Sequence, residues 1–194
     1  MDKIARLQEL IEQSQNIVFF GGAGVSTESN IPDFRSSDGI YSVKLGRHFT
    51  AEQLVSHTMF ERYPQEFFDF YKKYLLYPDA KPNAAHAYLA DLEKAGKLKA
   101  VVTQNIDSLH EMAGSKKVLK LHGSADRNYC LNCQRFYDLA GFLALKGTVI
   151  HRKSKRTSRL RQLSYPLKYD KKFKCFLTWI MNDNPRFIFR MSYV

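Results

Sequence analysis

The run Ile17-Val18-Phe19-Phe20 carries no charge and stops against Gly21-Gly22. Four apolar residues punctuated by glycines read as a buried strand feeding a tight turn. Leu98 to Thr103 and Val118 to Leu121 have the same form. Between these runs the spacing is helical. Ile4, Leu7, Leu10 and Ile11 share one face of residues 2–15, with Asn16 ending that run. Asn83 opens a helix that Gly96 closes, and Ile106 to Met112 forms a short one ending near Gly114. Thr50-x-x-Gln53 has the capping-box pattern and predicts a helix through about Arg62. Pro64 then begins an aromatic helix carrying Phe67, Phe68, Phe70, Tyr71 and Tyr74. Fully apolar strands alternating with helices predict an α/β fold, a parallel sheet covered on both faces.

Composition removes several alternatives. A chain of 194 residues is long enough to bury a core. No apolar run approaches the ~20 residues of a membrane-spanning helix. The amino terminus, MDKIARLQELIEQSQ, is charged and has no signal-peptide core, so no membrane is expected and the location expected is cytoplasmic. The formal net charge is +11, but residues 151–194 supply 12 basic and 2 acidic side chains, an excess of 10. The body is therefore close to neutral, which disfavours nucleic acid as the partner of the whole chain.

Three segments carry candidate chemistry. Gly22-Ala23-Gly24-Val25-Ser26-Thr27 follows the first strand directly, where backbone N–H groups can approach a pyrophosphate. Thr27 stands where the usual dinucleotide pattern has a third glycine, and a plain structural turn is the alternative. Downstream in Ile31-Pro32-Asp33-Phe34-Arg35, Arg35 can pair a phosphate and Phe34 can cover a planar ring, or the segment is a surface loop. Gln104, Asn105 and Asp107 follow the second strand, on the side where open α/β sheets bind ligands. They suit hydrogen bonding to ribose and carboxamide, against the alternative of capping the next helix. His122-Gly123 ends the third strand, where an imidazole can act as a general base near neutral pH. His86 and His110 fall inside helical patterns and are assigned structural or exposed places, and His48 and His57 no role.

Cys130 and Cys133 stand at C-x-x-C spacing in a chain of three cysteines, too few for a disulfide framework. The pair is half of a zinc ribbon, since structural zinc takes four ligands. The remaining donors, His151 and Cys175, lack chelating spacing.

GAGVSTESNIPDFRSSDGIY (22–41), TQNIDSLH (103–110), LHG (121–123) and CLNC (130–133) occur in the order seen in the sirtuins, which the chain resembles over about residues 1–149. The resemblance implies a Rossmann-like domain over 1–126, incomplete in its sheet, a partial zinc-binding module over 127–149, and an NAD-dependent protein-lysine deacylase lineage. It implies NAD as co-substrate and structural zinc at Cys130 and Cys133. Tyr71 is followed at the third position by Tyr74, not by the arginine of the succinyl-preferring branch, so the implied substrate is acetyl-lysine in a protein or peptide. Carried over, Ala23 and Thr27 contact NAD, Arg35 its phosphates, and Phe34 covers the nicotinamide side. Gln104 holds a ribose, Ile106 and Asp107 receive the carboxamide, Asn105 orients the reacting ribose, and His122 is the general base.

The sequence changes character near residue 150. The last Ala is 144, the last Gly 147 and the last Glu 111. The family's second cysteine pair and later strands do not follow, so residues 150–194 are expected to be an anomalous basic tail from a shifted or misjoined reading frame. Translation in the other two frames tests this. A basic arm docking on nucleic acid through Lys, Arg and aromatic residues is a competing reading of the tail, and an inert fragment is a third.

Overall fold

The computed structural model describes residues 2–43, 49–130 and 134–145 and the backbone of 160–162. Helix α1 (Lys3–Gln13) is capped by the Asp2 carboxylate, which accepts from Ile4 N at 3.1 Å. Strand β1 (Ile17–Gly21) follows, and a 3₁₀ turn over Ala23–Ser29 leaves it at once. After α2 (Ala51–Leu54), α3 (His57–Arg62), α4 (Pro64–Tyr74) and α5 (Ala84–Lys94) come β2 (Leu98–Thr103), α6 (Leu109–Ala113) and β3 (Val118–Lys120). Strands β1, β2 and β3 form one parallel sheet in that order, with Val18 opposite Ala100 and Val102 opposite Leu119. The parallel α/β expectation holds.

Two boundaries differ from expectation. The helix opened by Thr50 stops at Leu54, because the Ser56 hydroxyl accepts from Met59 N at 3.2 Å and starts α3 anew. The helix expected from Ile106 begins only at Leu109, whose N–H is taken by the Asp107 carboxylate at 3.1 Å. Strand β1 is half-buried over Ile17–Phe20, whereas β2 is almost wholly buried. Among the described residues β1 is an outer strand of its sheet and β2 the central one, so only β2 is flanked on both sides.

The core falls into two clusters. Leu89 and Leu92 of α5 pack on Leu98 and Val101 of β2, joined by Ile11, Ile17, Phe19 and Val118. The larger cluster centres on α4, where Phe67, Phe68, Phe70 and Tyr71 meet Leu54, Met59, Cys130 and Phe142. Phe142 lies on α7 (Leu139–Leu143), its ring centroid 5.9 Å from those of Phe68 and Tyr71. A second sheet pairs β4 (Asn128–Cys130) antiparallel with β5 (Phe136–Tyr137) and β6 (Leu160–Gln162). Apart from the β6 backbone, the expected tail lies outside the described residues.

Candidate functional site

The carboxyl ends of the three parallel strands are tied together by main-chain hydrogen bonds. Gln104 N donates to Gly21 O at 3.0 Å, and Leu121 N to Thr103 O at 2.8 Å. The three loops read from the sequence as chemical therefore start side by side, at the ligand-binding end of an open α/β sheet.

Ser26 joins the first two loops. Its side chain is fully buried; its hydroxyl donates to Asp107 Oδ2 at 3.0 Å and accepts from Asn105 Nδ2 at 2.9 Å. Asn105 N donates to Thr103 Oγ1 at 3.0 Å. Asn105 and Asp107 are thus held by side chains as well as by strand ends. Asn83 secures the other flank of the first turn by donating through Nδ2 to Val25 O at 2.8 Å. The sequence placed Ser26 in the glycine turn and Asn83 at a helix start, but gave neither a role at the site. The signal for Asn83 was an N-cap with a residue at the third position closing a capping box, here His86.

The backbone at Gly22 and Gly24 faces open space, since a Cβ on either would meet no atom within 4 Å. That fits a loop approached closely by a ligand. Gly39 is different. A Cβ there would lie 2.8 Å from Asp33 Oδ1 and the Phe34 carbonyl carbon and 2.9 Å from Arg35 N. Ile40 N to Asp33 O at 2.8 Å and Tyr41 N to Phe34 O at 2.9 Å then lock the Phe34–Arg35 loop.

Phe34 packs on Tyr41 with ring centroids 5.4 Å apart. Burial, followed by the Glu52 charge, raises the Tyr41 phenol above its ordinary range, and Arg35 opposes that. Arg35, Thr27, Gln104 and His122 are exposed, Ala23, Ile106 and Asp107 half-buried, and Asn105 buried. The structure draws Asn105 and Asp107 together through Ser26. Arg35 and His122 are exposed, with no hydrogen bond to the set among the described residues. Two surface clefts, about 570 Å³ along Glu28–Asn30 and Leu76–Pro82 and about 380 Å³ between α1 and Tyr88, include none of Arg35, Asp107 and His122.

Beneath the node lie two buried imidazoles, those of His86 and His110, with ring centroids 4.6 Å apart. His86 Nε2 and both His110 ring nitrogens have no hydrogen-bond partner among the described residues. Burial lowers both pKa values, to about 4 for His110, where the His86 charge adds to burial and Asp107 opposes it.

Cys130 is fully buried in the α4 cluster, and Cys133 lies outside the described residues. Among the described residues no group of three His, Cys, Asp or Glu could hold a metal ion, and no helix is long and apolar enough to cross a membrane.

This fold defines a Rossmann-like α/β protein with a parallel sheet. The Sir2 family matches residues 22–160, and the chain belongs to that family. The match runs past the change of composition near residue 150. The chain is similar to the NAD-dependent protein deacetylase of Clostridium perfringens, 65% identical over 146 residues that cover 75% of this chain and 60% of that protein. It is also similar to that of Clostridium tetani, 56% identical over 149 residues, 77% of this chain and 60% of that protein. A solved Sir2 complex with deacetylated p53 peptide and 3'-O-acetyl ADP-ribose superposes with a TM-score of 0.71 at 36% identity, covering 83% of this chain and 64% of that one. A Sir2 complex with p53 peptide and NAD+ superposes at 0.65 and 37%, covering 83% and 63%. The chain spans about 60% of the length of the curated relatives it matches.

Proposed function

We propose that the chain carries the catalytic loops of an NAD-dependent protein-lysine deacetylase. The observation that supports this most is the Ser26–Asn105–Asp107 node, which fixes two polar side chains at the strand ends beside a glycine backbone open on its outer side. NAD, as co-substrate, supplies the ribose carbon that nicotinamide leaves and that accepts the acetyl oxygen.

In this reading the Ala23 to Thr27 turn lies along the nucleotide and Arg35 pairs with its phosphates bidentately. Phe34 closes over the nicotinamide side and keeps water from the reacting centre. Gln104 hydrogen-bonds a ribose. Ile106 and Asp107 receive the carboxamide. Asp107 accepts from Ser26 and from Leu109 N, and its remaining lone pairs are free to accept from an amide. Asn105, its amide nitrogen held by Ser26, orients the reacting ribose. His122 takes the proton that the ribose hydroxyls release. Acetylated lysine in proteins or peptides is the substrate, and the cytoplasm the location. Zinc at Cys130 and Cys133 is supported by spacing alone, as two of four required ligands, and no step uses it.

The experiment is steady-state nicotinamide release from NAD with an acetyl-lysine peptide, followed over many turnovers beside His122→Ala. Release that depends on the peptide and falls at least about 100-fold in the variant is expected. Release that persists in His122→Ala removes the imidazole from its role, and none from the parent chain defeats the deacetylase reading of these 194 residues.

A further inference from the structure

Among the described residues no hydrogen bond holds the His122 side chain, so the direction of its imidazole is set by the loop beneath it. That loop is short. Leu121, His122 and Gly123 arch between the end of β3 and Ser124, and Gly123 sits at φ 84°, a left-handed conformation that favours glycine. Leu121 N to Thr103 O at 2.8 Å holds one foot of the arch, and Ala125 N to Ile106 O at 2.9 Å the other.

Lys120, the last residue of β3, crosses between the feet. Its ammonium donates to Ser124 Oγ at 3.3 Å, which closes a ring around the arch. It also donates to Ser108 Oγ at 2.9 Å and pairs with Glu111 Oε1 at 2.9 Å, fastening the ring to α6 and the residue before it. The Ser108 hydroxyl in turn donates to Asp126 Oδ2. One cation thus has a partner for each of its three N–H groups, one carboxylate and two hydroxyls, and one of those hydroxyls passes on to a second carboxylate. A lysine ending a strand is ordinarily solvated, but this side chain is only 11% exposed. Without the cation, Ser108, Ser124 and Glu111 would lose their common donor, and the arch would lose its lateral tie.

We propose that Lys120 is a positioning residue for His122, holding the arch so that the imidazole faces the strand ends. The proposal rests on the reading of His122 as the base. Lys120→Met keeps the aliphatic stem and removes the ammonium, while Lys120→Arg restores a cation. In Lys120→Met, kcat for nicotinamide release is expected to fall about tenfold or more with KM for NAD changed less than about threefold, and Lys120→Arg to recover a large part of kcat.

Two measurements need no turnover. Amide exchange at residues 121–125 should accelerate about tenfold in Lys120→Met while amides of β2 and α4 keep their protection. The ring ¹H–¹⁵N signals of His122 should broaden or double while those of His86 and His110 stay sharp. Unchanged exchange and an unchanged His122 signal overturn the proposal. So does exchange that rises equally throughout the fold, which would make Lys120 a general stabiliser. A parent chain without turnover defeats the deacetylase reading, and the exchange and ring signals then decide the role of Lys120 by themselves.

Discussion

Mild acid should destabilise this fold through the His86–His110 pair. An unfolded imidazole titrates near 6.5, while buried His110 titrates at about 4. Between those values the unfolded chain binds a proton that the folded chain refuses, so stability falls as pH falls. The contribution is intact above pH 6.5 and exhausted below about pH 4. From pH 7 to pH 5 the difference in proton binding costs about 2 kcal/mol for His110 alone, a large part of the stability of an ordinary domain. His86 is shifted the same way and adds to the loss. The assay is urea unfolding at both pH values, for the parent and for His110→Phe. Phenylalanine is close in shape, and both ring nitrogens it removes lack hydrogen-bond partners among the described residues, so the variant should fold. It should also lose most of the pH dependence. A drop in His110→Phe within about 0.5 kcal/mol of the parental drop would refute the argument, because another group would then be titrating.

Two substitutions separate binding from folding. Gly24→Ala places its methyl where, its chain neighbours and own turn aside, no atom of the described residues lies within 4 Å, so thermal unfolding should stay within about 2 °C of the parent. NAD affinity measured by calorimetry should nevertheless fall at least about tenfold if the dinucleotide backbone passes there. Phe142→Ala removes a ring 1% exposed between Phe68 and Tyr71 and should cost about 3–5 kcal/mol in denaturant unfolding, with the midpoint lowered accordingly.

Much of the architecture was legible because each element announces itself locally. The apolar runs became β1, β2 and β3 within a residue of their expected limits, and Pro64 and Asn83 open α4 and α5. The places where expectation slipped involve side chains that compete for backbone groups. Ser56 restarts a helix, and Asp107 delays one, because each captures an N–H that a continuous helix would have used. The Gly22 turn and the segments bearing Asp107 and His122 follow the ends of β1, β2 and β3, since an apolar strand followed by glycine or polar residues has only one place to stop.

Support for those loops was not legible. Ser26 lies 79 residues from Asn105, and Ser108 18 from Asp126, so no window of sequence shows them as partners. His86 and His110 have helical spacing that suits an exposed or a buried face equally, and only tertiary packing buries them, His110 against Phe19 and His86 against His110. The sequence alone determined which residues form the three parallel strands, where those strands end and which polar residues follow them, because hydrophobic period and turn chemistry act over a few residues; the second sheet carried no such signal. Tertiary structure decided which of those side chains are locked together, which remain exposed, and that a lysine closes the histidine's loop. Hydrogen bonds and burial between distant segments exist only once the sheet has brought them side by side.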